Sequence, residues 1–194
     1  MHSASNTRHA WSTAAWLQRR SPTARTVAVL AGTLVLALAS QIAVPMVPVP
    51  VTMQTLAVTL VGALYGWRLG AVTVLLWLAQ AAAGLPVLAG GAGGLPHFMG
   101  PTAGYLLAFP LAAALTGWLA GRGWAGRRVV LAFLSMLAGN ALCLALGAAW
   151  LAQSIGPSKA IAFGVLPFVV GAILKSALGA AILRLVAAPA DDQR

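Results

Sequence analysis

Six apolar runs, separated by short polar or Gly/Pro-rich segments, constrain this chain more than any other feature. They cover residues 26–44, 51–65, 69–83, 103–120, 129–153 and 165–188. A membrane-spanning helix needs about 20 mostly apolar residues, so length supports the second and third runs least. Charged residues make up only 7% of the chain and the mean hydropathy is +0.90, whereas soluble domains carry roughly 25% charged residues. We predict an all-α integral membrane protein with six transmembrane helices.

The basic residues test this count and give the orientation. The chain has twelve Lys and Arg against two acidic residues, a net charge of +10. Basic residues accumulate in cytoplasmic loops, and six crossings from a cytoplasmic N-terminus put ten of the twelve on the inner side. These ten are Arg8, Arg19, Arg20, Arg25, Arg68, Arg122, Arg127, Arg128, Arg184 and Arg194. We expect a plasma (inner) membrane protein with both termini in the cytoplasm, Lys159 in an outer loop and Lys175 inside the sixth helix.

The predicted organisation has three parts. Residues 1–25 form a polar, Arg-rich cytoplasmic arm, residues 26–188 the six-helix substrate-binding domain, and residues 189–194 a C-terminal tail. One alternative stays open, because Arg19 and Arg20 precede an apolar run that ends in an Ala-Leu-Ala triplet, as in a cleavable signal peptide. Loss of that run would leave five helices and reverse the simplest topology.

The scarcity of carboxylates excludes several classes of function. Asp191 and Asp192 are the only acids, so residues 1–190 cannot supply a proton relay, a carboxylate metal site or an acidic general base. Cys143 is the only cysteine, and His97 has no acid or cysteine nearby to complete a metal site. The chain lacks the Gly-x-x-x-x-Gly-Lys-Ser/Thr phosphate-binding pattern. We therefore expect no catalysis and no bound metal or cofactor. We also expect no nucleic-acid binding, because the arginines follow membrane topology and do not form one basic domain.

Lys175 is the sharpest candidate for ligand binding. It lies eight residues beyond Pro167, roughly 12 Å along the helix, where a Lys costs about 2.5–3.5 kcal/mol even on the lenient insertion scale. Because no carboxylate precedes residue 191, carbonyls, hydroxyls, water or a ligand must be its partners. An anionic or carbonyl-bearing ligand would supply what the protein omits. The alternative is a lysine that extends towards the interface and binds only carbonyls.

Two further polar residues are predicted at membrane depth. Gln54, together with Thr52, opens the second helix on the outer side. Asn140 lies in the fifth helix beside Gly139, where an amide suits either helix packing or contact with a ligand. Both residues are therefore candidates for substrate binding.

The segment 84–102 is uncharged and rich in glycine. Irregular backbone at membrane depth survives only where protein or a cavity covers it, so we predict an outer loop between the third and fourth helices that covers an outward-facing pocket. Gly91 and Gly94 can bring backbone N–H groups close to a ligand, and Tyr105 follows the loop. These features indicate a membrane protein that binds a small molecule from outside.

Three sequence stretches, in the same order along the chain, are similar to the motifs of one known family. They are PVPVTMQTLAVTLVGALYGWRLG, which begins at Pro48, GPTAGYLLAF at 100–109, and FGVLPFVVGAILK at 163–175. Together they resemble the BioY family, the substrate-binding (S) subunits of energy-coupling-factor biotin transporters, over residues 26–187. The resemblance implies six helices in a lipid bilayer and high-affinity capture of biotin from outside. It also implies dependence on a transmembrane coupling subunit and two ATPase subunits.

One position departs from the family pattern PF-x-x-GD-x-x-K. Pro167, Phe168, Gly171 and Lys175 are kept, but Ala172 stands in the Asp position. The resemblance implies that this Asp and Lys hydrogen-bond the ureido group of biotin. Ala172 cannot accept those bonds or neutralise Lys175, which should then prefer an anionic partner. A biotin-related ligand or another carboxylate-bearing vitamin therefore stays open.

Two other function classes are kept as alternatives to biotin capture. A structural or assembly subunit of the membrane would have a fully packed interior without polar groups. An integral-membrane enzyme acting on lipid or a small amphiphile is disfavoured, because residues 1–190 lack acids and no Ser/His/Asp set is available. A cavity near Lys175, covered by the 84–102 segment, would exclude the structural alternative.

Overall fold

The computed structural model describes residues 14, 17 and 19–187, so the predicted tail 189–194 and most of the predicted arm lie outside the described residues. Between residues 19 and 187 there are six α-helices, joined in part by a two-stranded antiparallel ribbon. The helices are Pro22–Gln41 (α1), Gln54–Ala82 (α2), Ala103–Gly121 (α3), Val129–Ile155 (α4), Pro157–Gly164 (α5) and Leu166–Val186 (α6). The ribbon pairs Ala43–Val44 (β1) with Val51–Thr52 (β2).

Five of these helices, α1 to α4 and α6, are long and apolar enough to cross a membrane. Large apolar side chains on their outer faces are exposed, among them Leu34, Val170 and Leu174. Extended apolar surface of this kind marks a membrane-facing protein. The chain is therefore an all-helical, multi-pass membrane protein.

The second and third predicted helices fall within the single element α2, which Gly66 divides. Gly66 has φ 80° and ψ 167°, a conformation that is essentially restricted to glycine. A methyl group on Gly70 would lie 2.9 Å from the Cα atom of Gly62, although eight residues of straight helix span roughly 12 Å. The chain therefore turns back at Gly66, and residues 54–65 pack against residues 67–82.

The first helix begins four residues earlier than predicted. Ser21 caps it, with its Oγ accepting a hydrogen bond from the Ala24 N–H at 3.3 Å, and Pro22 occupies the first turn. A hydroxyl cap followed by proline is a strong helix start, and it places Arg25 inside α1 rather than in the predicted arm. The helix ends at Gln41 because the next residues enter β1.

Helix α3 is the most buried of the five long helices, and small residues allow its neighbours to approach it closely. A methyl group on Gly139 of α4 would lie 2.5 Å from Thr116 Oγ1, and one on Gly104 would overlap Trp150. On its other side the Phe109 ring stacks against Trp77 of α2, with ring centroids 6.0 Å apart. This packing fixes α2, α3 and α4 as the frame of the molecule.

The segment that holds Lys159 is a short helix, α5, rather than the predicted outer loop. Gly156, with φ 83°, ends α4, and Pro157 opens α5 one residue later. A positive-φ glycine after one helix and a proline in the first turn of the next are typical of this junction. Lys159 is exposed on α5.

Candidate substrate-binding site

A cavity of about 260 Å³ lies where the β-ribbon, the start of α2, the 83–102 segment and helices α3, α4 and α6 meet. Ligand pockets usually measure about 300–1,000 Å³, so this cavity suits a small molecule. Its polar wall comprises Thr52, Gln54, Thr55, His97, Thr102, Asn140 and Lys175. Its apolar wall includes Val49, Leu88, Leu106, Phe109, Leu144 and Phe168. The site thus combines a large apolar surface with a few hydrogen-bonding groups.

Lys175 reaches the cavity from the middle of α6 and is only 8% exposed. Its Nζ donates hydrogen bonds to the Thr52 carbonyl at 3.0 Å and to Thr55 Oγ1 at 2.7 Å. Both partners are neutral, and residues 19–187 contain no Asp or Glu. Because an ammonium group has three N–H donors, one donor remains for a ligand.

Gln54 connects this lysine with α1. Its Nε2 donates to Ser40 Oγ at 3.0 Å, and its Oε1 accepts from Thr52 Oγ1 at 3.0 Å. Gln54 is buried and lines the cavity. Since the Thr52 carbonyl in turn accepts from Lys175, Gln54 helps to hold the backbone that positions the ammonium group.

Asn140 lies on the cavity side of α4 and is 2% exposed. Its Nδ2 donates to the Met136 carbonyl at 3.0 Å and to Ser176 Oγ at 3.2 Å. Both amide hydrogens are therefore used, and the bond to Ser176 fixes α4 against α6. The amide oxygen Oδ1 is the atom of Asn140 that can accept a hydrogen bond from a ligand.

Tyr105 presents its ring to the cavity rather than its hydroxyl. The hydroxyl donates to the Gly164 carbonyl at 2.8 Å, and the ring stacks on Phe168, with centroids 6.3 Å apart. A methyl group on Gly147 would overlap the ring. Tyr105 is thus held from two sides, and it contributes a rigid aromatic surface to the cavity wall.

The 83–102 segment is fixed to the helices by side chains of α1, α2 and α4, and the α4 residue is Trp150, whose Nε1 donates to the Gly100 carbonyl at 3.1 Å. Gln41 Nε2 donates to the Leu88 carbonyl, and Trp77 Nε1 donates to the Val87 carbonyl, each at 3.1 Å. Leu88 is consequently 4% exposed. Leu88, Ala89, Ala92 and His97 of this segment lie on the cavity wall.

The two predicted loop glycines do not line the cavity. Gly91 has φ 73° and Gly94 has φ 95°, and the Gly94 N–H donates to the Ala81 carbonyl at 2.7 Å. Their positions indicate that they shape the turns of the segment, since glycine adopts positive φ readily. The structure therefore brings Lys175, Asn140, Gln54 and Tyr105 to one cavity, and leaves Gly91 and Gly94 outside its wall.

Sequence reasoning did not find Thr55, Cys143, Phe109 or Leu144, all of which line the cavity. Thr55 adjoins Gln54, and Cys143 lies three residues after Asn140, so helical spacing could have placed each beside its polar neighbour. Apolar residues such as Phe109 give no such signal, because facing a ligand and facing lipid require the same side-chain chemistry.

The chemistry of the site is that of non-covalent recognition. Its groups are the Lys175 ammonium, the His97 imidazole, a few neutral hydrogen-bonding side chains and an apolar wall. Within residues 19–187 no cluster of three or more His, Cys, Asp or Glu side chains could hold a metal ion. The arrangement fits a small molecule with an apolar body and polar groups.

Comparison with known proteins agrees with this reading. The family model described as the BioY family matches residues 8–191. The "Probable biotin transporter BioY" of Pyrococcus horikoshii is 41% identical over 138 residues, which cover 71% of this chain and 80% of that protein. The "Biotin transporter BioY" of Rhizobium etli is 37% identical over 158 residues, covering 78% of this chain and 84% of that protein.

A solved structure is similar in fold as well. It is the crystal structure described as the S-component for biotin from an ECF-type ABC transporter. The two superpose with a TM-score of 0.76 at 26% sequence identity, covering 84% of this chain and 90% of the other. The similarity therefore extends over nearly the whole helical bundle.

Proposed function

The chain belongs to the BioY family, and we propose on this basis that it takes up biotin by capturing it in the cavity beside Lys175. It is a transporter component and not an enzyme. Biotin has two fused rings, a sulfur-containing apolar ring and a cyclic ureido group with two N–H donors and a carbonyl acceptor, and it carries a carboxylate at the end of an alkyl chain. The cavity offers a largely apolar wall, one free N–H donor on Lys175 and one free amide oxygen on Asn140 to such a ligand.

The observation that carries this proposal is the buried lysine in an otherwise neutral, largely apolar cavity. Lys175 provides a free N–H donor, Asn140 an acceptor, and the ring of Tyr105 an aromatic surface. A structural subunit would have no reason to keep a cation in a cavity, because an uncompensated charge at membrane depth is costly. We therefore assign substrate binding to Lys175, Asn140, Gln54 and Tyr105.

Filling the cavity tests the proposal. Ala172 lines the cavity one turn before Lys175, whereas Ala177 is exposed on the same helix. Ala172→Leu should weaken binding of labelled biotin to the purified protein about 5- to 150-fold, since overpacking costs about 1–3 kcal/mol. Ala177→Leu, the same change on the lipid-facing side, should leave binding unchanged. Absence of saturable binding by the unmodified protein at micromolar biotin would refute the function itself.

A second ligand class has one observation in its favour. Ala172 places a methyl group, and not a carboxylate, on the cavity wall near Lys175. Another carboxylate-bearing vitamin could therefore compete for the site. Competition of labelled biotin with pantothenate, nicotinate and lipoate decides between them, because a competitor that binds more tightly than biotin would replace biotin as the substrate.

We further propose six crossings with both termini in the cytoplasm. The support is that the β-ribbon and the 83–102 segment line the same cavity, and that Gln41 donates to the Leu88 carbonyl. Both segments therefore lie at one end of the bundle, as we expect if α2 crosses the membrane and returns. Arg68 beside the Gly66 turn and Arg122, Arg127 and Arg128 between α3 and α4 would then face the cytoplasm.

Energy for uptake has to come from other subunits. The sequence lacks the phosphate-binding pattern of an ATPase, and the structurally similar protein is described as part of an ECF-type ABC transporter. We propose that this chain hands biotin to a transmembrane coupling subunit and two ATPase subunits. Labelled biotin should accumulate in proteoliposomes that contain the chain with such a module and ATP, and not in those that contain ADP instead.

A further inference from the structure

We propose that the end of the bundle opposite the substrate cavity carries a binding site for the phosphate headgroup of an anionic phospholipid. The site consists of two Arg–Trp pairs, Trp67 with Arg68 and Trp118 with Arg122. It is separate from substrate capture, because it lies at the other membrane surface. It gives these two arginines a role beyond that of marking topology.

Both pairs lie far from the cavity. Helix α3 has Tyr105 of the cavity wall in its first turn and Trp118 in its last turn, and the helix between these two residues spans roughly 20 Å. The other pair directly follows Gly66, where α2 turns back. The two pairs therefore lie at the membrane surface that is opposite the cavity.

A close helix contact brings the two pairs together. A methyl group on Gly117 of α3 would lie 2.5 Å from the Trp67 backbone nitrogen and 2.7 Å from the Gly66 carbonyl carbon. The backbone that carries the first pair thus touches the residue that precedes Trp118. Since all four side chains of the two pairs are exposed, they extend from neighbouring backbone positions into the membrane interface.

Stacking prepares each pair for a phospholipid headgroup. The Cζ atom of Arg122 lies 3.5 Å from the centre of the Trp118 ring, and that of Arg68 lies 4.8 Å from the Trp67 ring, within the range of a cation–π contact. A guanidinium that stacks by its face keeps N–H donors free at its edge, and their planar arrangement matches two phosphate oxygens. Each pair can therefore bind a phosphate through its arginine.

The tryptophan rings favour a lipid over a soluble phosphate. Trp67 and Trp118 are 47% and 43% exposed, and tryptophan is enriched where a protein meets the boundary between headgroups and acyl chains. The apolar surface of the rings would contact the glycerol and the first carbons of the acyl chains. A soluble phosphate has no such groups, so we assign the site to a lipid.

The surrounding charge favours an anionic headgroup. A methyl group on Gly123 would lie 3.4 Å from Arg128 Nη1, so a third guanidinium lies beside the turn that follows Arg122. Residues 19–187 contain no Asp or Glu, and this part of the chain therefore offers no carboxylate to the cluster. Basic clusters at the cytoplasmic ends of transmembrane helices bind anionic headgroups for this reason.

Lipid binding to the purified full chain in detergent tests the inference. Native mass spectrometry counts bound phosphatidylglycerol, which is anionic, and bound phosphatidylethanolamine, which is zwitterionic, across matched titrations. Phosphatidylglycerol should bind at least about tenfold more tightly, because two guanidinium groups attract the net charge of its headgroup. Equal affinities for the two lipids would overturn the inference.

Paired substitutions distinguish a defined site from the general attraction of a basic surface. Arg68→Gln combined with Arg122→Gln should lower the preference for phosphatidylglycerol at least about fivefold. Arg19→Gln combined with Arg127→Gln removes the same charge from two exposed arginines that belong to neither pair, and it should preserve the preference. An equal fall in both double variants would show diffuse attraction alone and overturn the inference.

Inorganic phosphate tests whether the ligand is a lipid. At millimolar concentration it should not displace phosphatidylglycerol, because it cannot contact the tryptophan rings. Displacement by inorganic phosphate at the concentration of the lipid would assign the site to a soluble phosphate and overturn the lipid assignment. Biotin affinity should be the same in both double variants as in the unmodified chain, so the result does not depend on the proposed substrate.

Discussion

At the scale of single residues, the only two tyrosines of the chain provide a matched test of the site. Each hydroxyl donates to a backbone carbonyl at 2.8 Å, Tyr65 to Ala28 and Tyr105 to Gly164. Only Tyr105 lines the cavity. The two residues therefore make the same kind of bond but differ in their relation to the ligand.

Tyr65→Phe and Tyr105→Phe should each lower the free energy of unfolding by about 1 kcal/mol, the net value of one buried hydrogen bond. Biotin affinity should fall only in Tyr105→Phe, because loss of the bond to Gly164 frees the ring that forms the cavity wall. Thermal midpoints and biotin titrations of both variants in detergent measure the two effects. Equal biotin affinities in the two variants would show that Tyr105 is structural alone.

Hydropathy and charge predicted the main polar residues of the cavity, but they did not predict the apolar residues of its wall. Lys175, Asn140, Gln54 and Tyr105 could be singled out because polar groups are rare in apolar runs. Gly91 and Gly94 were chosen for their freedom to approach a ligand, but in the structure that freedom serves the turns of their own segment. Which of these two roles a glycine has depends on tertiary packing, and the neighbouring residues in the sequence do not show it.

At the scale of elements, the turn within α2 depends on three glycines. Gly66 has φ 80°, Gly70 contacts Gly62, and a methyl group on Gly62 would overlap the Ala113 carbonyl of α3. Side chains at these positions would separate the two halves of α2 from each other or from α3. The turn therefore requires glycine at each of these three positions.

Gly66→Ala should destabilise the protein by about 1–3 kcal/mol, the usual strain of a non-glycine residue in this backbone region. Gly121, the last residue of α3, has open space around its Cα and helical backbone, so Gly121→Ala is the matched control. It should leave stability unchanged or raise it by about 0.5–1 kcal/mol through lower chain entropy. Thermal unfolding in detergent measures both, and an unperturbed Gly66→Ala variant would contradict the role of this turn.

The apolar runs located the five long helices to within a few residues, but not the short helix α5. The runs 51–65 and 69–83 were separated by Gly66, Trp67 and Arg68, and the structure has its turn at this place. Helix α5 was missed because a short polar stretch after Gly156 resembles a loop in composition. Its helical state follows from Pro157 and from packing of Ala160 against the bundle.

At the scale of the whole molecule, the side of the membrane on which two exposed residues lie shows whether α2 crosses once or twice. Val47 in the β-ribbon loop and Met99 in the 83–102 segment are 93% and 82% exposed. Six crossings put both on the outer side, whereas a single pass by α2 would put them on opposite sides. Arg127, between α3 and α4, should lie on the cytoplasmic side.

Cysteines introduced at Val47, Met99 and Arg127 in a Cys143→Ala background test this arrangement. An impermeant maleimide added to intact cells should label Val47→Cys and Met99→Cys, and should label Arg127→Cys only after permeabilisation. The shared background removes the sole native thiol, so each signal reports one position. Labelling of Val47→Cys without Met99→Cys would favour five crossings.

The bond between Lys175 and Thr52 joins residues 123 positions apart in the chain. During synthesis, the Thr52 side of the cavity is therefore made long before Lys175, which lies on the last helix. The last helix inserts with a lysine at membrane depth. The two groups that accept its hydrogen bonds, the Thr52 carbonyl and the Thr55 hydroxyl, belong to segments that are synthesised earlier. Under the proposed role of Lys175, ligand binding begins only after this final insertion, so occupancy by biotin would distinguish finished chains from every shorter intermediate.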